Sequence, residues 1–174
     1  MGFSTRAAGL AAAEKNNICG VGVAYSSSIC SLGVDLSSAD EVAIASGLLS
    51  TLSSVDVYCY SGLRALPGAS PDLRRLSRVL SDASTFVSSE GRDGRGAIQV
   101  SNLVGSAHRG GHCGLSEYLT LPEVLVAATI THANRSAAHV EDCSSTLVTV
   151  PGAGDDSYLT TSSPEGCDKE WGVD

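Results

Sequence analysis

A chain of 174 residues with 43% hydrophobic and 17% charged content is long enough to bury the core of one globular domain, and two domains are not expected. The formal net charge of −8 argues against nucleic acid as a partner, because neutralising phosphates takes clustered Lys and Arg. No apolar run approaches the roughly 20 residues of a bilayer span, and residues 1–17 lack the cationic start and apolar core of a signal peptide.

The elements alternate along the chain. Ser4 is a good N-cap for an Ala-rich helix that runs to Lys15 and stops at Asn16-Asn17. The apolar, Gly-rich segment 19–25 with Val21 and Val23 predicts a buried strand, and a weaker strand follows at 31–35. Residues 38–49 predict a helix capped by Ser38, with Val42, Ala45, Leu48 and Leu49 at helical spacing. A strand is expected at 55–60. A Pro-started helix at 71–87 turns Leu73, Leu76, Val79, Leu80 and Ala83 inward until the Gly-rich stretch 91–96 breaks it. Strands at 97–104 and 123–130 flank a polar loop, and the Gly-, Asp-, Ser- and Thr-rich tail from Pro151 has room for one strand at 158–161. This order favours βαβ crossovers, hence a parallel sheet covered by helices.

Several side-chain groups invite a chemical reading. His108, His112 and Cys113, with His132 or His139, suggest a metal site, although a polar surface loop explains them better because the spacing matches no standard ligand pattern. No GxSxG elbow is present. Asp155-Asp156 reads as a solvated turn and Asp35 as a strand end. Asn134-Arg135-Ser136 fits the glycosylation sequon, which matters only in a secreted chain. The six cysteines leave disulfides and buried thiols as competing readings.

Residues 16–25 (NNICGVGVAY) resemble the NNGVCGVGVAY segment of the proprotein convertases, kexin/furin-type subtilisin-like serine endopeptidases. Residues 55–61 (VDVYCYS) are similar to the strand before that family's SWGP motif, and 143–154 (CSSTLVTVPGAG) resemble CSSTLATTYSSG. The resemblance covers nearly the whole chain and is weakest at 63–90. It implies one partial catalytic domain over 1–174, of α/β class with a mainly parallel sheet, helices on both faces, and an incomplete fold.

Carried over position by position, the resemblance implies a scaffold without its chemistry. The family's catalytic Asp lies upstream of Met1, Phe3 takes the place of the catalytic His, and the nucleophilic Ser is expected just after Asp174. Gly105 replaces the oxyanion Asn, a donor whose loss costs roughly 3–4 kcal/mol in subtilisin itself. The acidic groups that read basic side chains fall on Ser116 and on Ala65-Leu66-Pro67, with Asp72 at a more distal acidic position. Glu141 matches an acid beside an internal calcium site whose other acids fall on Leu66 and Gly111. A second calcium loop retains Asn17, Ile18 and Gly20 without its upstream acids, and a loop closed by Asn side chains serves equally well there. The family's bridges map to Cys19 with Cys167 and Cys113 with Cys143, each contributing about 3–5 kcal/mol. Cys30 and Cys59 are left as buried thiols.

The resemblance thus implies a family member that is inactive in this chain, with the secretory pathway or extracellular space as the family's setting. A truncated form of an active endopeptidase cleaving peptide or protein substrates after basic residues is the alternative. A non-catalytic binding scaffold is a further one.

Overall fold

The computed structural model describes residues 2–18, 20–34, 40–60, 75–102, 112–136, 140–152 and 159–163, apart from the side chains of Gly2 and Phe3. Two compact units emerge. One comprises residues 1–31, 130–135 and 151–174, the other 32–129 and 136–150.

In the first unit, helix α1 spans Gly2–Ala12, so it starts before Ser4 and stops short of Lys15. The strand expected at 19–25 is not formed among its described residues: 20–22 are irregular, 23–25 lie in a turn, and Val21, Val23 and Tyr25 are exposed. The reason lies at the end of α1, whose last carbonyls have no partner within the helix. The N–H groups of Gly22, Val23 and Ala24 donate to the carbonyls of Ala13, Leu10 and Ala11 at 2.9, 3.0 and 2.7 Å. The segment therefore wraps the helix terminus instead of joining a sheet. A Cβ on Gly22 would collide with the Ala12 and Ala13 backbone, which explains the glycine. No strand forms at the described residues 159–161.

The second unit carries helix α2 (Glu41–Ser50), strand β1 (Val57–Tyr60), helix α3 (Arg78–Gly94), strand β2 (Ile98–Asn102), two short 3-10 turns at Cys113–Leu115 and Tyr118–Thr120, and all but the last residue of strands β3 (Val124–Ile130) and β4 (Thr146–Pro151). The sheet order is β1-β2-β3-β4. β1 and β2 run parallel with Val57 opposite Ile98, and β2 and β3 run parallel with Gln99 opposite Val124. This is the α/β parallel architecture expected, in incomplete form. The strand expected at 31–35 is absent from the described residues 31–34, and β4 was not expected.

Helix α2 starts later than its pattern suggested because Asp40, not Ser38, caps it: Asp40 Oδ1 accepts from the N–H groups of Val42 and Ala43 at 3.0 and 3.2 Å. Its buried residues are Ile44, Ala45 and Leu48, while Val42 and Leu49 are exposed. Helix α3 begins at Arg78 behind the N-cap Ser77, not at Pro71, so Leu76 is buried ahead of the helix and Val79 is exposed. Two carboxylates pin this start, Glu41 accepting from the Ser77 N–H at 2.6 Å and Glu117 from the Leu76 N–H at 2.8 Å. The Gly-rich break appears as left-handed residues Arg92 and Asp93 (φ 55° and 57°), followed by Gly94 and Gly96 at φ 82° and 78°. At Gly96 a Cβ would strike the Ser88 carbonyl. Arg92 secures the turn through a 2.8 Å ion pair with Asp56.

One core joins Ile44, Ala45 and Leu48 of α2, Leu80, Ala83 and Val87 of α3, Tyr58 of β1, and Val124, Val126 and Ala128 of β3. On the other side of the sheet Val57, Cys59, Ile98 and Leu125 are exposed. Cys30 is also exposed, so neither leftover cysteine is the buried thiol expected of it. For Cys59 the physical reason is strand parity, since it alternates with the buried Tyr58.

Candidate functional site

In parallel α/β sheets ligands gather at the carboxyl ends of the strands. Here that end of β1 carries Tyr60, β2 places Gln99 and Ser101 inside the unit, and the 3-10 turns bring Cys113, Ser116 and Tyr118 into its core.

Gln99 organises the buried polar groups. Its Oε1 accepts from Tyr60 Oη at 2.8 Å and from Ser84 Oγ at 3.0 Å; its Nε2 donates to the Ser84 carbonyl at 3.0 Å and to Ser88 Oγ at 2.6 Å. All four hydrogen-bonding positions of the amide are thus filled. The Tyr60 and Tyr118 rings meet edge to face with centroids 5.2 Å apart. Burial pushes the Tyr60 phenol up to about 12. Tyr118 is driven up as well, first by burial and then by the adjacent Tyr60, and its buried hydroxyl has no hydrogen-bond partner among the described residues. With both raised, the phenols are neutral at physiological pH, and Tyr60 acts as a hydrogen-bond donor to Gln99.

Cys113 and Cys143 form the expected disulfide, with Cα atoms 5.9 Å apart. It ties the first 3-10 turn to the loop before β4. The bridge also overturns the metal reading around Cys113, because a bridged sulfur offers no thiolate. His112 is engaged locally, its Nδ1 accepting from the Gly114 N–H at 3.0 Å. Among the described residues no group of three or more His, Cys, Asp or Glu could hold a metal ion.

Ser116, expected at the position of the family's pocket carboxylate, is buried and its Oγ accepts from the Leu119 N–H at 3.5 Å. The carboxylates of Glu41 and Glu117 already accept backbone hydrogens at the start of α3. Glu141 is buried. In the Asn16–Gly20 loop, Asn16 Oδ1 accepts from the Ile18 N–H at 2.9 Å, and Asn17 and Ile18 are exposed. An Asn side chain therefore closes the loop. Asn17, Ile18 and Gly20 by themselves offer fewer than the six to eight oxygens calcium takes. Asn134 lies in an exposed turn after β3.

Phe3 lies in α1. The expected positions Asp72, Gly105, Asp174, Cys19 and Cys167 lie outside the described residues, as do His108, His139, Asp35, Asp155, Asp156, Ala65, Leu66, Pro67, Gly111 and Ser38. The Gln99–Tyr60–Tyr118 group was missed by the sequence reading. Its one signal is a polar Gln in the run IQVSN, otherwise read as a buried strand.

No family model matches the chain. It is 31% identical over 169 residues to kexin of Saccharomyces cerevisiae, an alignment covering 93% of this chain and 20% of kexin. It is 26% identical over 155 residues to a dibasic-processing endoprotease of Yarrowia lipolytica, covering 89% of this chain and 16% of that protein. The chain thus spans a fifth or less of the length of these curated relatives. The similarity supports a partial and distant relationship to kexin-like subtilisins. Among the described residues, no helix is long and apolar enough to cross a membrane.

Proposed function

We propose that the chain is a diverged member of the kexin-like subtilisin endopeptidases that keeps part of the scaffold and has lost the catalysis, leaving a surface that binds peptide or protein segments without cleaving them. The observation that carries this reading is an alignment to kexin covering 93% of the chain; the motif resemblance puts Phe3, a side chain that cannot take a proton, where the family has its catalytic His. Gly105 at the oxyanion position and Ser116 at the basic-residue pocket point the same way. The buried polar group around Gln99 supports it too, being made of neutral phenols, hydroxyls and an amide.

The expected result is no turnover of dibasic fluorogenic peptides and no labelling by a serine-hydrolase probe; either signal, in protein free of contaminating protease, removes the proposal. A second reading, part of an active endopeptidase cleaving after basic residues, is favoured by the short span of 20% and 16% on the two relatives. Mapping both ends of the transcript separates the two, because the second requires coding sequence for the Asp and for a Ser-bearing motif.

A further inference from the structure

We propose that Asn134 is an acceptor for an N-linked oligosaccharide. Asn134-Arg135-Ser136 is the single Asn-x-Ser/Thr in the chain. The motif alone has a high chance rate, and the structure adds two independent observations.

The first is the setting of the acceptor. Thr131 is buried and anchors a tight turn: its N–H donates to the Arg135 carbonyl at 2.9 Å, the Arg135 N–H donates to Thr131 Oγ1 at 3.3 Å, and the Asn134 N–H donates to the Thr131 carbonyl at 3.0 Å. These three bonds hold the turn together from within. Asn134 occupies the left-handed region at φ 57°, which Asn tolerates better than most residues, and both Asn134 and Ser136 are exposed. A bulky group on the Asn134 amide displaces nothing from the core.

The second is the Cys113–Cys143 disulfide, whose Cys113 is buried. Such a structural bridge forms in an oxidising compartment, and in eukaryotic cells that is also where oligosaccharide transfer takes place. The transfer forms a bond from Asn134 Nδ2 to C1 of the sugar and breaks the C1–O bond to a lipid diphosphate. The lipid diphosphate leaves, and one amide proton passes to a carboxylate of the oligosaccharyltransferase. The Ser136 hydroxyl is the motif's recognition element.

The test is translation of the full chain behind a cleavable secretory leader with microsomes, followed by mobility analysis with and without an N-glycan-removing endoglycosidase. The expected result is one endoglycosidase-sensitive step in mobility, abolished both by Asn134→Gln and by Ser136→Ala, the latter leaving Asn134 itself in place. Ser136→Thr should raise the occupied fraction. Translocated chain with the Cys113–Cys143 bridge formed and Asn134 unmodified in peptide mass spectra would overturn the proposal, as would a mobility step that survives both substitutions.

Discussion

Gln99 is fully buried yet has every amide position filled, by Tyr60, Ser84 and Ser88. Replacing it with Leu would strand those hydroxyls and the Ser84 carbonyl in a low-dielectric interior, where each unsatisfied group costs about 1–3 kcal/mol. Gln99→Leu should therefore lower stability by about 2–4 kcal/mol, read as a fall in the urea midpoint. Tyr60 adds a pH signature. Its folded-state value of about 12 lies above the ordinary 10, so the folded chain holds the proton more tightly. The resulting stability is complete below pH 10 and is lost as pH rises through about 12. In urea unfolding measured across that window, the loss of stability should be shallower in Tyr60→Phe than in the parent chain. None of this group was legible in the sequence, because Tyr60 and Gln99 lie 39 residues apart and only the pairing of β1 with β2 brings them together.

Among the elements, α2, α3, β1 and β3 were legible because each places apolar residues in one core, whereas β2 was legible as an apolar run although the residues it buries are Gln99 and Ser101. Their ends were less so: a cap such as Asp40 competes with nearby Ser38, and only the fold decides between them. Asp40→Ala should cost about 1 kcal/mol, visible as a lower thermal midpoint. Segment 19–25 misled because its Val and Gly content suits a strand equally well, while the unmet carbonyls at the end of α1 claim its N–H groups. β4 escaped notice for the opposite reason: Leu147, Val148 and Val150 are all exposed, so no alternation of burial marks the strand. The Cys113–Cys143 pairing was legible only through the family resemblance. The bridge closes a span of 30 residues, for which chain entropy gives about 3–4 kcal/mol. The Cys113→Ser, Cys143→Ser double variant should lose about that much, and dithiothreitol should lower the parent's urea midpoint while leaving the variant's unchanged.

For the molecule as a whole, Val57, Ile98 and Leu125 are exposed together on one sheet face among the described residues, whereas parallel sheets normally have both faces covered. Self-association that grows with concentration is expected, and the Val57→Lys, Ile98→Lys double variant should reduce it in sedimentation velocity runs. Calcium should not raise the thermal midpoint, nor EGTA lower it, since the Asn16–Gly20 loop is closed by an Asn side chain. An open apolar sheet also raises the danger of strands pairing out of step, and here the buried amide of β2 has a second consequence. A slip of β2 by one residue would turn Gln99 toward solvent and bring Ile98 or Val100 against the hydroxyls of Ser84, Ser88 and Tyr60. Misaligned sheets thus forfeit several hydrogen bonds at once, and Gln99 acts as a checksum on strand alignment, discriminating against wrongly assembled chains during folding.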